Sequence, residues 1–124
     1  MKQANAKQKQ FMSDIAHWCE NCSGIYYLYG FGWGDSQFHL HHVKGRSFKH
    51  KKTQVGHDFI IPVPIILHDF NSNNELNVTH YKHKFTKEFG SQVNIYMTMI
   101  NDMKAFGYSV PDEEILDIIG DLND

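Results

Sequence analysis

An α+β fold is expected from three features of this 124-residue chain. Apolar residues recur at helical spacing near both ends. Two short runs near the middle read as strands, and seven of the nine histidines are crowded around them, between His39 and His80. Hydrophobic residues make up 41% and charged residues 21%, the proportions of an ordinary soluble globular chain of one domain. Within it, residues 1–36 are read as an N-terminal helix followed by a Cys-x-x-Cys and an aromatic, glycine-rich segment. Residues 37–90 form the histidine-bearing core, and residues 91–124 form C-terminal helices.

The first helix is expected over 3–18, because Phe11, Ile15 and Trp18 fall on one face. Cys19 and Cys22 follow at a spacing that can supply half of a tetrahedral zinc site, which His17 or His39 would have to complete. The alternative is a pair of small free thiols. Ile25 to Tyr29 reads as a short strand, with Gly30, Gly32 and Gly34 marking an irregular turn. Phe38 to Val43 reads as the first core strand. Alternation puts His39 and His41 on one face and His42 on the other. His57 and Asp58 open a second strand, Phe59 to Val63, antiparallel to the first, with Pro62 and Pro64 ending it or keeping it at an edge. His68 and Asp69 fall at a short helix or turn. Asn77 or Thr79 then caps a helix that holds His80 in its first turn, carries Tyr81, Phe85 and Phe89, and stops at Gly90. Val93, Tyr96, Ile100 and Met103 define the next helix, and Ser109 is expected to cap the last one, PDEEILDIIGDL.

Charge is unevenly distributed. Six of the 14 acidic residues lie at or after Asp112, whereas Lys104 alone of the 12 basic residues lies beyond Lys87. Residues 1–110 therefore carry 12 minus 8, or +4, a basic body with an acidic tail. Lys44, Arg46, Lys49, Lys51 and Lys52 sit in a segment without an acidic residue, suited to phosphate contact. The longest apolar run, Phe59 to Leu67, is too short to span a bilayer and contains two prolines. With no apolar stretch of signal-peptide length in MKQANAKQKQ, a cytoplasmic protein without membrane partners is expected.

Imidazole is both a common ligand for divalent metals and the side chain best placed to move protons near neutral pH. A His-His pair beside a basic loop and further spaced histidines therefore points to metal-assisted chemistry on an anion, with nucleic acid the expected partner.

HLHHVKGR, then GHDFIIPVPIILHD, then VTHYKHKFTKEFG resembles the phage recombination-enhancement (Ref-type) family of HNH, or ββα-metal, nucleases. The likeness spans Trp18 to about Met103. The resemblance implies a ββα-metal core and hydrolysis of DNA phosphodiester bonds in phage recombination or processing, in the host cytoplasm. It implies His42 as general base, His57 or Asp58 orienting that base, and His41, His68 and His80 as ligands to a divalent ion such as Zn²⁺, Mg²⁺ or Mn²⁺. A recombination protein is an implied further partner. Cys19 and Cys22 match the family's paired cysteines, but its other cysteines fall on Phe38 and on Pro64 or Ile65 here, so the structural zinc loses half of its ligands. The competing readings are a non-catalytic, zinc-stabilised nucleic-acid-binding module and an interaction protein acting through the acidic C-terminal helix.

Overall fold

The computed structural model describes residues 3–30, 38–68, 77–79 and 81–123. Helix α1 spans Ala6–Asn21. The Asn5 side chain accepts from the Gln8 backbone N–H at 2.8 Å, and Gln8 Oε1 accepts from the Asn5 N–H at 2.9 Å. Two of the otherwise unpaired donors at the helix start are thereby satisfied. Its buried face carries Phe11, Ile15, Trp18 and Cys19, and Trp18 Nε1 donates to Asp102 Oδ2 at 2.8 Å.

Gly24–Tyr29 is a second helix, α2, and not the strand its aromatic composition suggests. Ile25 and Tyr29 lie one turn apart and are both buried, while Tyr26 and Tyr27 point outward, so burial at helical spacing overrides local β propensity. Gly24 makes this packing geometrically feasible. A Cβ there would lie 2.5 Å from two ring carbons of the fully buried Trp18.

Strand β1, Phe38–His42, pairs antiparallel with β4, Ile60–Pro64, in the register His41↔Ile61 and His42↔Ile60. Between them, β2 (Lys49–His50) and β3 (Thr53–Gln54) form a small hairpin. Val43 N–H bonds to Phe59 C=O at 3.1 Å. Since hydrogen-bonded and open pairs alternate along an antiparallel ladder, His41/Ile61 and His39/Val63 are bonded pairs, and Pro62 and Pro64 occupy open ones. The two prolines thus sit where a strand needs no N–H towards its partner. His57 and Asp58 do not open β4. They lie in a turn closed by Asp58 N–H and Phe59 N–H, both bonded to Val55 C=O.

Every residue of β4 is buried. Helices α1 and α2, and α5 (Gln92–Ala105), pack around it; Phe59 meets Tyr96 of α5 edge-on, and Pro62 C=O accepts from Tyr29 Oη. β1 is the outer, half-exposed strand. Helix α3, Ile65–His68, begins as β4 ends, and α4 spans Lys82–Phe89. Tyr81, not Asn77 or Thr79, occupies the N-cap of α4; Asn77 Oδ1 instead closes a turn by accepting from Thr79 N–H. The last helix, α6, spans Glu113–Gly120 with Asp112 at its N-cap. Ser109, the expected cap, donates its N–H to Asp14 Oδ2 at 2.8 Å, and Asp112 pairs with Lys7. The described residues contain no helix long and apolar enough to cross a membrane.

Gly24→Ala is expected to destabilise the fold by about 1–3 kcal/mol, because the buried indole has no room to yield. Denaturant unfolding checks this: a midpoint equal to wild type would mean that α2 does not press on Trp18.

Candidate active site

The β1–β4 register distributes the histidines of β1 between two faces. His39 and His41 share the face with Ile61 and Val63, and α3 brings His68 onto them. His68 Nδ1 lies 2.9 Å from His39 Nδ1, and His68 Nε2 lies 3.0 Å from His41 Nδ1. One ring is therefore held between two others, edge to face, with ring centroids 5.1 Å and 4.8 Å apart.

His42 points the other way, where its Nε2 lies 3.3 Å from Nδ1 of the buried His57. Burial lowers the pKa of His42 from 6.5 to about 4, assisted by His57 and by the nearby charge of Arg46. His42 is thus neutral across the physiological range. Asp58, the alternative partner to His57, is turned into the body of the protein. Its Oδ2 accepts from Gln8 Nε2 of α1 at 3.0 Å, and burial raises its pKa against the opposing influence of Gln8, His57 and Lys7. His57 is therefore the residue in contact with His42.

Two nitrogens on a tetrahedral zinc ion with bonds of about 2.0–2.1 Å stand roughly 3.3 Å apart. The 3.0 Å between His41 Nδ1 and His68 Nε2 is close to that spacing and is also that of an N–H···N hydrogen bond between the rings, so the pair supplies at most two donors to a shared divalent ion. His39 approaches the opposite nitrogen of His68 and does not point at the same position. Among the described residues, no group of three or more His, Cys, Asp or Glu side chains is arranged to hold a metal ion. His80, an expected third ligand, and Asp69 lie outside the described residues.

Among the described residues, no His, Asp or Glu side chain joins Cys19 and Cys22 in a group that could hold a metal ion. Both are free thiols. Burial, with the charge of Glu20, pushes Cys19 up to about 12. His17 Nδ1, which would have to complete the set, lies 2.6 Å from Tyr108 Oη, and His39 is engaged with His68.

The basic segment stands away from the core: Lys44, Arg46, Lys49, Lys51 and Lys52 are all exposed. Lys51 sits at the β2–β3 turn with φ of 56°, a left-handed conformation that favours glycine. Gly56 fixes the base of this loop, since a Cβ there would come within 2.3 Å of Arg46 C=O and 2.4 Å of Gly45 C=O. The loop is thus seated directly beside His57. One feature was not picked out from the sequence: helix α4 adds exposed Lys82, Lys84 and Lys87, whose signal was the cationic run KHKFTK. His39, expected on the His41 face and as a possible partner of the cysteines, instead meets His68. No family model, curated protein or solved structure matches this chain.

His42 also makes folding sensitive to pH. Its folded pKa lies below its unfolded one, so the unfolded chain binds a proton first as pH falls. The associated stability is complete above about pH 6.5 and is lost as pH drops towards about 4. Asp58, with its raised pKa, acts in the opposite sense within the carboxylate range. In metal-free protein the unfolding midpoint should fall between pH 7 and pH 4.5, and His42→Gln should flatten that fall. An unaltered slope in the variant would show that the His42 ring is not desolvated against His57.

Proposed function

We propose that this chain is a metal-dependent endonuclease of the ββα-metal type, hydrolysing DNA phosphodiester bonds in the cytoplasm, during phage-type recombination or processing. The observation that carries the reading is the meeting of His39, His41 and His68 across β1 and α3, with His42 on the same strand paired to His57 beside an exposed basic loop. His41 and His68 would hold the divalent ion. His80 joins them on the strength of the sequence resemblance. When bound, the ion neutralises charge on the scissile phosphate, and imidazole donors suit Zn²⁺ or Mn²⁺ better than Mg²⁺.

The chain's own groups supply the rest. In the tautomer where His42 Nε2–H donates to His57 Nδ1, Nδ1 of His42 is the basic nitrogen that takes a proton from water. His57 holds that ring in place. A base with a pKa near 4 is unprotonated at pH 7 but a weak proton acceptor. A phosphate paired with Arg46 would remove one cause of the depression and strengthen it. Lys49, Lys51 and Lys52 would hold the DNA backbone.

The second reading, a zinc-stabilised nucleic-acid-binding module without catalysis, is favoured by one observation. His42 leaves β1 on the face opposite His41, so the base and the metal ligands diverge from the strand. The two readings part on cleavage. Plasmid DNA incubated with protein and Mn²⁺ or Zn²⁺ should be nicked or linearised, and EDTA should stop the reaction. His42→Ala should lower the rate by roughly 10²–10⁴-fold while leaving DNA affinity near wild type. DNA that is bound but never cut under any of these metals supports the second reading.

Binding itself makes a further expectation. Reversing charge at Lys49, Lys51 and Lys52 together should weaken affinity for DNA of any sequence. It should also reduce the slope of log K against log salt by up to about 0.9 per lost contact. An unchanged slope in a filter-binding or anisotropy titration would show that this loop is only solvated.

A further inference from the structure

His39 is not a metal ligand in the resemblance, and its ring meets His68 on the nitrogen facing away from His41. A neutral imidazole carries one N–H and one lone pair, and the hydrogen bond at one nitrogen determines what the other can do. For His68 Nε2 to offer its lone pair to an ion shared with His41, His68 Nδ1 must carry the proton. Among the described residues, His39 Nδ1 lies within hydrogen-bond distance of that N–H, at 2.9 Å. His39 itself is exposed, so its Nε2–H can remain solvated while Nδ1 accepts.

We propose that His39 is a positioning residue: its Nδ1 accepts from His68 Nδ1–H and fixes the His68 ring and tautomer so that Nε2 faces the divalent ion. The inference rests on the reading of His41 and His68 as metal ligands. It goes further in giving β1 two separate roles, a ligand at His41 and the orienting partner of the other ligand at His39. Partners of this kind typically change metal affinity by roughly 10–100-fold when removed. The side chain best able to replace His39 is asparagine, whose Oδ1 stands where the histidine Nδ1 stood and accepts the same hydrogen bond.

The test is a titration of the metal-free protein with Co²⁺, read by affinity and by the visible absorption of the bound ion. Wild type, His39→Ala, His39→Asn, His41→Ala and His68→Ala are compared, with circular dichroism confirming that each is folded. His39→Ala should weaken Co²⁺ binding by about 10–100-fold, His39→Asn should recover most of the loss, and both should keep the wild-type absorption band. His41→Ala and His68→Ala should lose the band. Unchanged affinity in His39→Ala overturns the role of His39 while leaving the metal centre standing. A shifted band in both His39 variants, with no rescue by asparagine, overturns it in favour of direct ligation. Folded wild-type protein that binds no Co²⁺ overturns the metal centre and this role together. Nitrogen-15 shifts of the His68 ring in the Zn²⁺-loaded protein give an independent readout: protonation at Nδ1 is expected, and protonation at Nε2 contradicts the proposal.

Discussion

The register between β1 and β4 governs everything that follows in this molecule. Side chains alternate along a strand, so a slip of one residue would exchange the faces of His39 and His41 with that of His42. Two features fix the placement of β4. Ile60, Ile61 and Val63 are fully buried, so β4 is held on both faces by the core. Pro62 and Pro64 lie in the open pairs, so turning β4 over would aim their missing N–H groups at β1 and remove ladder hydrogen bonds. The prolines that limit the strand also fix which of its edges faces β1.

From this alignment two imidazole groupings arise at one end of the fold. On one face, α3 leaves the end of β4 and returns His68 to His39 and His41 within a few residues of chain. On the other face, the loop after β1 comes back through Gly56 to set His57 against His42. The cationic hairpin grows from the same loop, so the cations and the His42–His57 pair are tied to one backbone segment. A lysine kept in a left-handed conformation at the hairpin tip, where glycine would cost less, is consistent with a requirement for charge there.

Much of this was legible from residue spacing. The faces of α1 and α5, the antiparallel pairing of the two core strands and the shared face of His39 and His41 all follow from periods of 3.6 and 2. What escaped the sequence depended on contacts between distant residues. α2 is helical because Gly24 packs under Trp18, and nothing in GIYYLY announces that indole. Asp58 stood open as a substitute for His57 in the sequence, but its carboxylate accepts from Gln8, 50 positions away along the chain, inside the body of the protein. Asp112, not Ser109, stands at the N-cap of α6, with its carboxylate paired to Lys7 of α1, while Ser109 donates its N–H to Asp14. The contact of His39 with His68 needed the path of α3 after Pro64, which strand alternation alone does not supply.

We propose that His41 and His68 hold a divalent ion on the face of β1 opposite the His42–His57 pair. A crystal structure of Zn²⁺-loaded protein, phased or checked by anomalous scattering at the zinc edge, addresses it most directly. The account predicts an anomalous peak bonded to His41 Nδ1 and His68 Nε2 at about 2.0–2.1 Å. A peak bonded to neither histidine, or none in protein soaked at saturating zinc, would contradict it.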